Sequence, residues 1–449
     1  MLISTVRFMA KGWVYDFYIA PGFHFPFYGF EWLHPVPAAG MYSVFALMAL
    51  ASLFILLGLF YRLSLTIFFC CFVYTELLDK SYYLNHYYFV SIITFLLLWV
   101  PAHRYFSLDT LRRPSLKITR VPAWTIGIFQ AQLCLVYFYA GLSKLTAGWM
   151  LDAMPLRIWL PANGDLPLIG PLLGKVWVAY LFSWFGAVFD LSIGFLLLYR
   201  PTKKIAYVFV VLFHILTAML FKIGMFPYIM IAVTIIFFSE DVHIKLIDSL
   251  KRHLKRHLKR HLKRHGRFAR RAIIRPEPET VHPSPARSVS PASPFKQRLT
   301  FIVLAIYFTL QILVPFRYLL YPGNLFWTEQ GYRFSWRVML MEKSGTSFFY
   351  VKDPKTGRKG EVNNNKFLTP LQERMMATQP DMILQYAHYL SAEYRRKGVK
   401  DPVITVEDYV TLNGSGSRLY IDSTTDLARQ QENFLPITWI LPFQPNKSK

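Results

Sequence analysis

A lysine stands at the end of a long apolar segment. Lys144 lies in AGLSKLTAGW, residues 140–149, directly after the apolar run FQAQLCLVYFYA, and the small residues Gly141, Ser143 and Gly148 flank it. Apolar surroundings disfavour the ammonium form of a lysine, so a buried lysine can act as a general base on a weak acid such as a phenol or hydroquinone. In the alternative interpretation, the side chain only extends its charge to the membrane surface.

Polar and small residues recur along the segment that leads to this lysine. Gln130, Cys134, Tyr137, Gly141 and Lys144 follow one another at intervals of four, three, four and three residues, so a helix places them on one stripe. We expect this stripe to face other helices or a cavity rather than lipid.

A second polar group opens another apolar segment. Asn85 and His86 lie in LDKSYYLNHYYF, and Asp79 and Lys80 come just before them. The span order given below predicts that this group and Lys144 share one membrane level. That placement favours a site built from both segments.

Two further ionisable residues lie inside apolar segments. Asp190 stands in VFDLSIGFLLL and His214 in VVLFHILTAML. Ionisable groups at membrane depth are functional candidates by default. The alternatives are that Asp190 pairs with a lysine or histidine of the bundle, and that His214 is a packing residue.

The composition favours a membrane protein. Of the 449 residues, 54% are hydrophobic and 17% aromatic, and the net charge is +24. Basic residues concentrate between apolar runs, which is typical of membrane orientation rather than of nucleic-acid binding. The sequence predicts an α-helical polytopic membrane bundle of about eight spans, since about 20 apolar residues cross a bilayer. The spans are predicted at 41–60, 63–78, 84–100, 122–142, 176–199, 204–221, 224–239 and 299–319.

Lysines and arginines cluster in alternate connections, at 61–63, 101–121, 200–204 and 240–298. Positive loops stay in the cytoplasm, so the N-terminus and everything from residue 320 onward are expected outside it. We predict a truncated N-terminal segment at 1–40, with an upstream span missing, and a transmembrane catalytic bundle at 41–240. A basic cytoplasmic linker is predicted at 241–298, followed by a last span at 299–319.

Residues 251–265 repeat the tetrapeptide KRHL and precede a Pro/Ser-rich stretch. A helix would place His253, His257, His261 and His265 along one drifting stripe. Three interpretations stay open: a slipped repeat in a permissive loop, contact with anionic lipid, and metal or nucleic-acid binding.

Residues 320–449 predict a small extracytoplasmic α+β domain. TSFFYVKD followed by PKTG predicts one hairpin, and VITVEDYVTLNGSGSRLYID predicts another. Between them, PDMILQYAHYLSAEYRRKG has helical periodicity. We predict no metal site in the chain.

Several segments together resemble a known family. These are LDKSYYLNHYYF, HRYFSLD, QAQLCLVYFYAGLSKL with Trp149, VFDLSIGFLLL, FHILTAMLFKIGMFPYIM and WTEQGYRFSWRVMLMEKSG. Their order is similar to that in the vitamin K-dependent gamma-carboxylase family, above all its bacterial relatives, the horizontally transferred transmembrane domain (HTTM) proteins.

The resemblance implies a lyase-type membrane enzyme that converts protein glutamate to gamma-carboxyglutamate and couples this to quinone epoxidation. Vitamin K or menaquinone hydroquinone would be the cofactor, with O2 and CO2 as co-substrates. Lys144 matches the family's base, and Asn85 and His86 match the pair that orients the quinone and assists at the glutamate. Tyr137, on the stripe of Lys144, is predicted to contact the quinone.

The implied partners are an exported glutamate-bearing protein, membrane lipid and an isoprenoid quinone, without nucleic acid. The expected location is the bacterial inner membrane. One alternative is a hydroquinone epoxidase with a different or lost carboxyl acceptor, because the long C-terminal region of animal enzymes is absent. A further alternative is a non-catalytic membrane binding protein or transporter.

Overall fold

A computed structural model of the protein describes residues 1–221, 223–265 and 293–444. Within residues 240–265, the side chains of 254 and 258–265 are not described. The Pro/Ser-rich part of the predicted linker, and the side chains of His261 and His265, lie outside the described residues.

Apolar helices dominate the chain as far as residue 320. In chain order the helices are α1 (Leu2–Ala10), α2 (Trp13–Tyr18), α3 (Ala38–Leu57), α4 (Tyr61–Leu78), α5 (Asn85–Trp99), α6 (Leu108–Arg112), α7 (Trp124–Leu142), α8 (Ala147–Met150), α9 (Leu156–Trp159), α10 (Gly170–Leu173), α11 (Val176–Leu198), α12 (Lys203–Leu220), α13 (Phe226–Thr234), α14 (Glu240–His265) and α15 (Pro294–Leu313). Helical turns continue α13 to Phe237 and α15 to Leu320.

Every predicted span coincides with an apolar helix. Among the described residues, six helices are long and apolar enough to cross a membrane, namely α3, α4, α7, α11, α12 and α15 with its continuation. The helices Asn85–Trp99 and Phe226–Phe237 are shorter. Pro101 follows closely on the first, and Pro227 stands in the first turn of the second, so proline limits both. The predicted membrane bundle is confirmed, with the span count approximate.

Helix α14 contains the KRHL repeat, as its periodicity predicted. The rings of His253 and His257 lie 5.3 Å apart, so these two histidines share one face of the helix. The three interpretations of the repeat stay predictions.

The chain divides into two compact units. The first holds residues 1–116, 135–192 and everything described from 293 onward. The second holds residues 117–134 and the described part of 193–265. In the first unit, α1 and α2 pack against α3 through an apolar cluster that includes Val14, Tyr18 and Met41. All contacts of the candidate site described below belong to the first unit.

The polar stripe on α7 faces α11. A methyl group on Gly141 would lie 2.6 Å from the backbone nitrogen of Leu191, so only glycine permits the observed approach. One turn of the stripe away, Tyr137 packs edge-on against Phe189. Within the second unit, the Sγ atom of Cys134 lies 3.7 Å from the carbonyl oxygen of Gly194. The expectation that this stripe faces another helix is confirmed.

The C-terminal domain, residues 320–444, is the predicted α+β unit. Its elements are α16 (Leu325–Thr328), β1 (Lys343–Lys352), β2 (Lys359–Glu361), α17 (Pro370–Met376), α18 (Pro380–Arg396), β3 (Val403–Leu412) and β4 (Arg418–Leu419). The antiparallel sheet has the order β2-β1-β3-β4, and β1 pairs with β3 from Lys343↔Leu412 to Lys352↔Val403. Both predicted hairpins and the predicted helix are present.

Helix α18 covers one face of this sheet. Alternate residues of β3, Ile404, Val406 and Val410, meet Ile383 and Leu390 of α18 in one apolar core. This alternation is the reason that a period-two pattern predicted the strand.

Asp408 occupies one of the buried positions of β3, where the alternating pattern otherwise places apolar residues. Asp408 is fully buried, and its Oδ1 accepts a hydrogen bond of 2.9 Å from Ser347 Oγ. Its other oxygen has no hydrogen-bond partner among the described residues. Burial raises the pKa of Asp408 to about 8.

We expect Gly141→Ala to destabilise the protein by about 1–3 kcal/mol, because the added methyl group forces α7 away from α11. Gly148→Ala is the matched control, since a methyl group there meets nothing within 4 Å. Thermal unfolding in lipid nanodiscs, followed by tryptophan fluorescence, measures both. Equal midpoints for the two variants would contradict close packing at Gly141.

Asp408 makes the stability of the C-terminal domain depend on pH. The pKa of this carboxyl group is about 4 in the unfolded chain and about 8 in the folded protein. Folding therefore takes up a proton between about pH 4 and about pH 8. The free energy of unfolding therefore falls across that window as pH rises, by on the order of a few kcal/mol. Asp408→Asn should flatten the fall, measured as unfolding midpoints of the full chain from pH 5 to 9. An unchanged slope would show that Asp408 does not cause it.

Candidate functional site

The amine of Lys144 is buried in an ion pair. Its Nζ lies 2.7 Å from Oδ2 of Asp190 on α11 and donates a hydrogen bond of 3.1 Å to the carbonyl oxygen of Ala140. Lys144 is 7% exposed and Asp190 5%. The alternative in which the lysine reaches the membrane surface is therefore wrong, and the ion-pair partner of Asp190 is Lys144.

The chain tightens where α7 ends, and this turn sets the direction of the lysine. After Leu142, the amides of Lys144 and Leu145 bond to the carbonyl oxygens of Gly141 and Leu142, three residues back, at 2.9 and 3.1 Å. Such a turn is narrower than an α-helix. Because Gly141 has already brought α11 close, Lys144 emerges directly beside Asp190.

Trp149 covers the other side of the amine. The Nζ of Lys144 lies 5.3 Å from the centre of the Trp149 ring. The indole nitrogen donates a hydrogen bond of 2.9 Å to the carbonyl oxygen of Ser183 on α11, and Ser183 Oγ donates to the carbonyl oxygen of Trp149. Trp149 is thus fixed to α11 on both its main-chain and side-chain ends.

A cavity of about 740 Å³ lies beside this loop. Its lining comes from the loop after α7, the segment after α15 and the C-terminal domain, and includes Ser143, Trp149, Phe316, Tyr318 and Arg337. Lys144 is not among the lining residues, but Ser143 and Trp149 on either side of it are. Trp149 therefore contacts the lysine amine and also lines the cavity.

Asn85 forms a hydrogen bond with a residue that lines this cavity. Its Nδ2 donates a hydrogen bond of 2.8 Å to the carbonyl oxygen of Arg337. Tyr83 supports this contact, since its hydroxyl donates to Asn85 Oδ1 at 3.1 Å and accepts from the amide of Phe334 at 3.0 Å. The start of α5 is thus attached to residues 334–337.

The other predicted site residues lie in less direct positions. His86 is half-buried at the start of α5, with its ring edge-on to Tyr87. Tyr137 is buried between α7 and α11, against Phe189. In the second unit, Gln130 donates a hydrogen bond of 3.0 Å to the carbonyl oxygen of Ile236.

His214 is also in the second unit, where its buried ring packs edge-on against Phe226. That contact fits the packing interpretation of His214.

Comparison with known families accounts for most of the chain. A family model described as the HTTM domain matches residues 1–242, which is more than half of the sequence. A second, described as the lumenal domain of vitamin K-dependent gamma-carboxylase, matches residues 296–446. The chain belongs to the HTTM-domain, vitamin K-dependent gamma-carboxylase family. The resemblance drawn from the sequence is confirmed. No solved structure matches the chain.

In this gamma-carboxylase family member, a cluster of charged side chains around the buried Lys80 joins the α4–α5 turn to the C-terminal domain. Lys80, which is 1% exposed, places its Nζ 2.8 Å from Asp381 Oδ2 and 3.5 Å from Glu432 Oε1. Arg333 binds the same Asp381 through two nitrogens, at 2.7 and 3.3 Å. Gln372 donates a hydrogen bond of 2.8 Å to Asp79 in the same turn. We call Lys80, Arg333, Asp381 and Glu432 the docking cluster.

Charge interactions keep the Asp381 carboxyl group ionised at neutral pH. Burial alone would disfavour the charged form of Asp381, but Arg333 and Lys80 outweigh it and hold the pKa of that carboxyl well below its usual range. The stability that Asp381 contributes is therefore present above about pH 4 and is lost as pH falls below it.

The sequence drew attention to Lys80 but not to its partners. Arg333 stands in the family segment WTEQGYRFSWRVMLMEKSG and Asp381 at the start of a predicted helix, and nothing in either segment indicates a contact with Lys80, far away along the chain. Only an alignment showing correlated changes would give a sequence signal for such a pair.

A double-mutant cycle tests the docking cluster. We expect the effects of Lys80→Met and Asp381→Asn on the free energy of unfolding to couple by about 0.5–3 kcal/mol. Each substitution removes one charged partner of the other residue. Unfolding midpoints of wild type, both single variants and the double variant in nanodiscs give the coupling.

The matched control is the exposed pair of Arg395 and Asp401, 3.8 Å apart, which should couple by about 0–1 kcal/mol. Strict additivity at Lys80 and Asp381 would contradict the docking role.

Proposed function

We propose that this protein is a membrane enzyme that carboxylates glutamate side chains of a protein substrate and couples this reaction to hydroquinone epoxidation by O2. The observation that carries the proposal is a buried lysine amine, paired with Asp190, beside a cavity in a chain of this family. A vitamin K or menaquinone hydroquinone is the proposed cofactor.

The residues around the cavity fit a quinone. Trp149, Phe316 and Leu319 offer apolar and aromatic surface to a ring and an isoprenoid tail, and Tyr139 and Tyr318 offer hydroxyl groups. When bound, the hydroquinone would supply, on oxidation by O2, a base strong enough to take up a glutamate γ proton, so that CO2 could replace that proton.

Lys144 is proposed to take the hydroquinone hydroxyl proton on Nζ. The amine must be neutral to do so, and a water-excluded ion pair can exchange its proton across the 2.7 Å contact with Asp190. In that state Asp190 holds the exchanged proton as a carboxylic acid, and Lys144 accepts the hydroquinone proton. Asp190 then releases its own proton to water, and its carboxylate stabilises the ammonium group of Lys144. Asp190 is thus proposed as the positioning residue that holds the amine between α7 and α11.

Asn85 and His86 are proposed to orient the quinone, with His86 also assisting at the glutamate. Support comes from Asn85, which is fixed to the cavity wall through the Arg337 carbonyl oxygen. Tyr137 is proposed to line the quinone's approach between α7 and α11, where it packs on Phe189.

The orientation of the chain follows from its charges. With the basic connections in the cytoplasm, the C-terminal domain lies outside it, which agrees with the lumenal description of the family that matches there. We propose a catalytic bundle at 41–240, the linker at 241–298, a last span at 299–319 and an extracytoplasmic domain from 320. The proposed location is the bacterial inner membrane, and the proposed partner is an exported protein.

Purified protein in lipid nanodiscs, given reduced vitamin K or menaquinone, O2, labelled bicarbonate and a glutamate peptide, tests the proposal. We expect wild type to form epoxide and to fix label. Lys144→Ala should lower both rates by about 10²–10⁴-fold, as loss of a general base does. Asp190→Asn should lower both by a smaller factor.

Lys175→Ala removes an exposed lysine of the same unit and should leave both rates unchanged. Epoxide without fixed label would replace the carboxylase with an epoxidase that has another acceptor. Absence of epoxide from folded wild type with either quinone would refute the enzymatic proposal in favour of a binding protein or transporter.

A further inference from the structure

Arg337 is a buried cation without a counter-charge. The residue is 7% exposed, and no carboxylate of the described residues lies within ion-pair distance of its guanidinium. Its neighbours are the phenols of Tyr318, whose ring lies 4.3 Å from the guanidinium carbon, and Tyr332. Buried charges in proteins are normally paired with an opposite charge, whereas Arg337 has a hydrogen bond and a ring contact with Tyr318 in place of a carboxylate.

The guanidinium group also has an unused donor. Its Nε is buried and donates to no acceptor in the described part of the chain. Burial lowers the pKa of Arg337, which is the opposite of what a neighbouring carboxylate would produce. By contrast, Arg333, four residues earlier, is fully engaged with Asp381. Arg333 is therefore paired with a carboxylate, whereas Arg337 contacts phenol groups.

Arg337 lines the 740 Å³ cavity. Asp152 and Arg157 also line it, but both are exposed, so solvent screens their charges. Arg337 is consequently the desolvated positive group of this cavity. An anion that enters would gain a charge-assisted hydrogen bond in surroundings that strengthen it.

The backbone around Arg337 is held in unusual conformations. Phe334, Trp336 and Met339 all have positive φ, at 58°, 57° and 54°. Bulky residues rarely adopt this region, and each costs about 1–3 kcal/mol. Packing of Tyr88 on Phe334 and Trp336, together with the bond from Asn85, maintains the segment. Such strain indicates that the contacts of this segment hold Arg337 in one place at a cost in stability.

We propose that Arg337 binds the side-chain carboxylate of the glutamate that is to be carboxylated, and that the part of the cavity lined by Arg337 is the acceptor site. This inference rests on the proposed function. The geometry supports it, because Asn85 bonds to the Arg337 backbone and the loop that carries Lys144 and Trp149 lines the same cavity as Arg337. The planar fork of an arginine binds a carboxylate through two hydrogen bonds, which a glutamine amide cannot replace.

Binding and turnover together test this assignment. Titration of nanodisc-embedded full chain with a glutamate peptide and its glutamine counterpart measures discrimination without requiring catalysis. Loss of a charge-assisted bond corresponds to about a tenfold to hundredfold loss of affinity. We expect wild type to prefer the glutamate peptide by such a factor and Arg337→Gln to lose the preference. Arg337→Lys, which keeps the charge but not the fork, should be intermediate.

In turnover, Arg337→Gln should raise the KM for the glutamate peptide by a similar factor. Arg157→Gln, an exposed arginine of the same cavity, is the matched control and should keep the peptide preference. Thermal unfolding of each variant verifies that it is folded.

The outcomes separate this inference from the proposed function. If Arg337→Gln is folded and still prefers the glutamate peptide, or if its KM for bicarbonate rises in place of that for peptide, the assignment is overturned while carboxylation stands. If wild type forms no epoxide but discriminates between peptides through Arg337, the carboxylate site stands and the proposed function fails. Equal loss of both peptides would also overturn the assignment, since a carboxylate contact affects only one.

Discussion

The contact between α7 and α11 is the constraint on which the site depends. A glycine at 141 allows the two backbones to meet, and this approach places the amine of Lys144 against the carboxylate of Asp190. Removing two charges from water is unfavourable unless they pair at short distance. The helix contact therefore fixes the pair, and the pair in turn gives the end of α7 its direction. Trp149, bonded to Ser183, completes the enclosure.

A second constraint acts from the C-terminal domain. The domain contacts the turn between α4 and α5 through charged and amide side chains, and the start of α5 through residues 334–337. The cavity beside Lys144 takes part of its lining from each source. The surroundings of the cavity thus combine a buried lysine amine that the membrane helices supply with a buried arginine that the C-terminal domain supplies. Neither family match alone would contain both groups.

Much of this arrangement is readable from the sequence, and the reason is local periodicity. Apolar runs predicted the spans, a seven-residue interval of polar and small residues marked the face of α7, and alternation marked the strands. Lys144 stood out because it ends such a run. Its partnership with Asp190 stayed one of several options, since pairing depends on helix rotation. Arg337 lies in a segment without helical or strand periodicity. That it is buried away from the carboxylates of the described residues becomes visible only in the folded structure.

The docking cluster has a consequence for how the family's two parts can be recombined. The turn between α4 and α5 carries Lys80, whose ion pairs in the described part of the chain are with Asp381 and Glu432 of the attached domain. A chimaera that exchanged the C-terminal domain for a relative's would leave that lysine buried with a foreign surface. An exchange of domains would therefore have to carry residues 79–85 together with the domain that they contact.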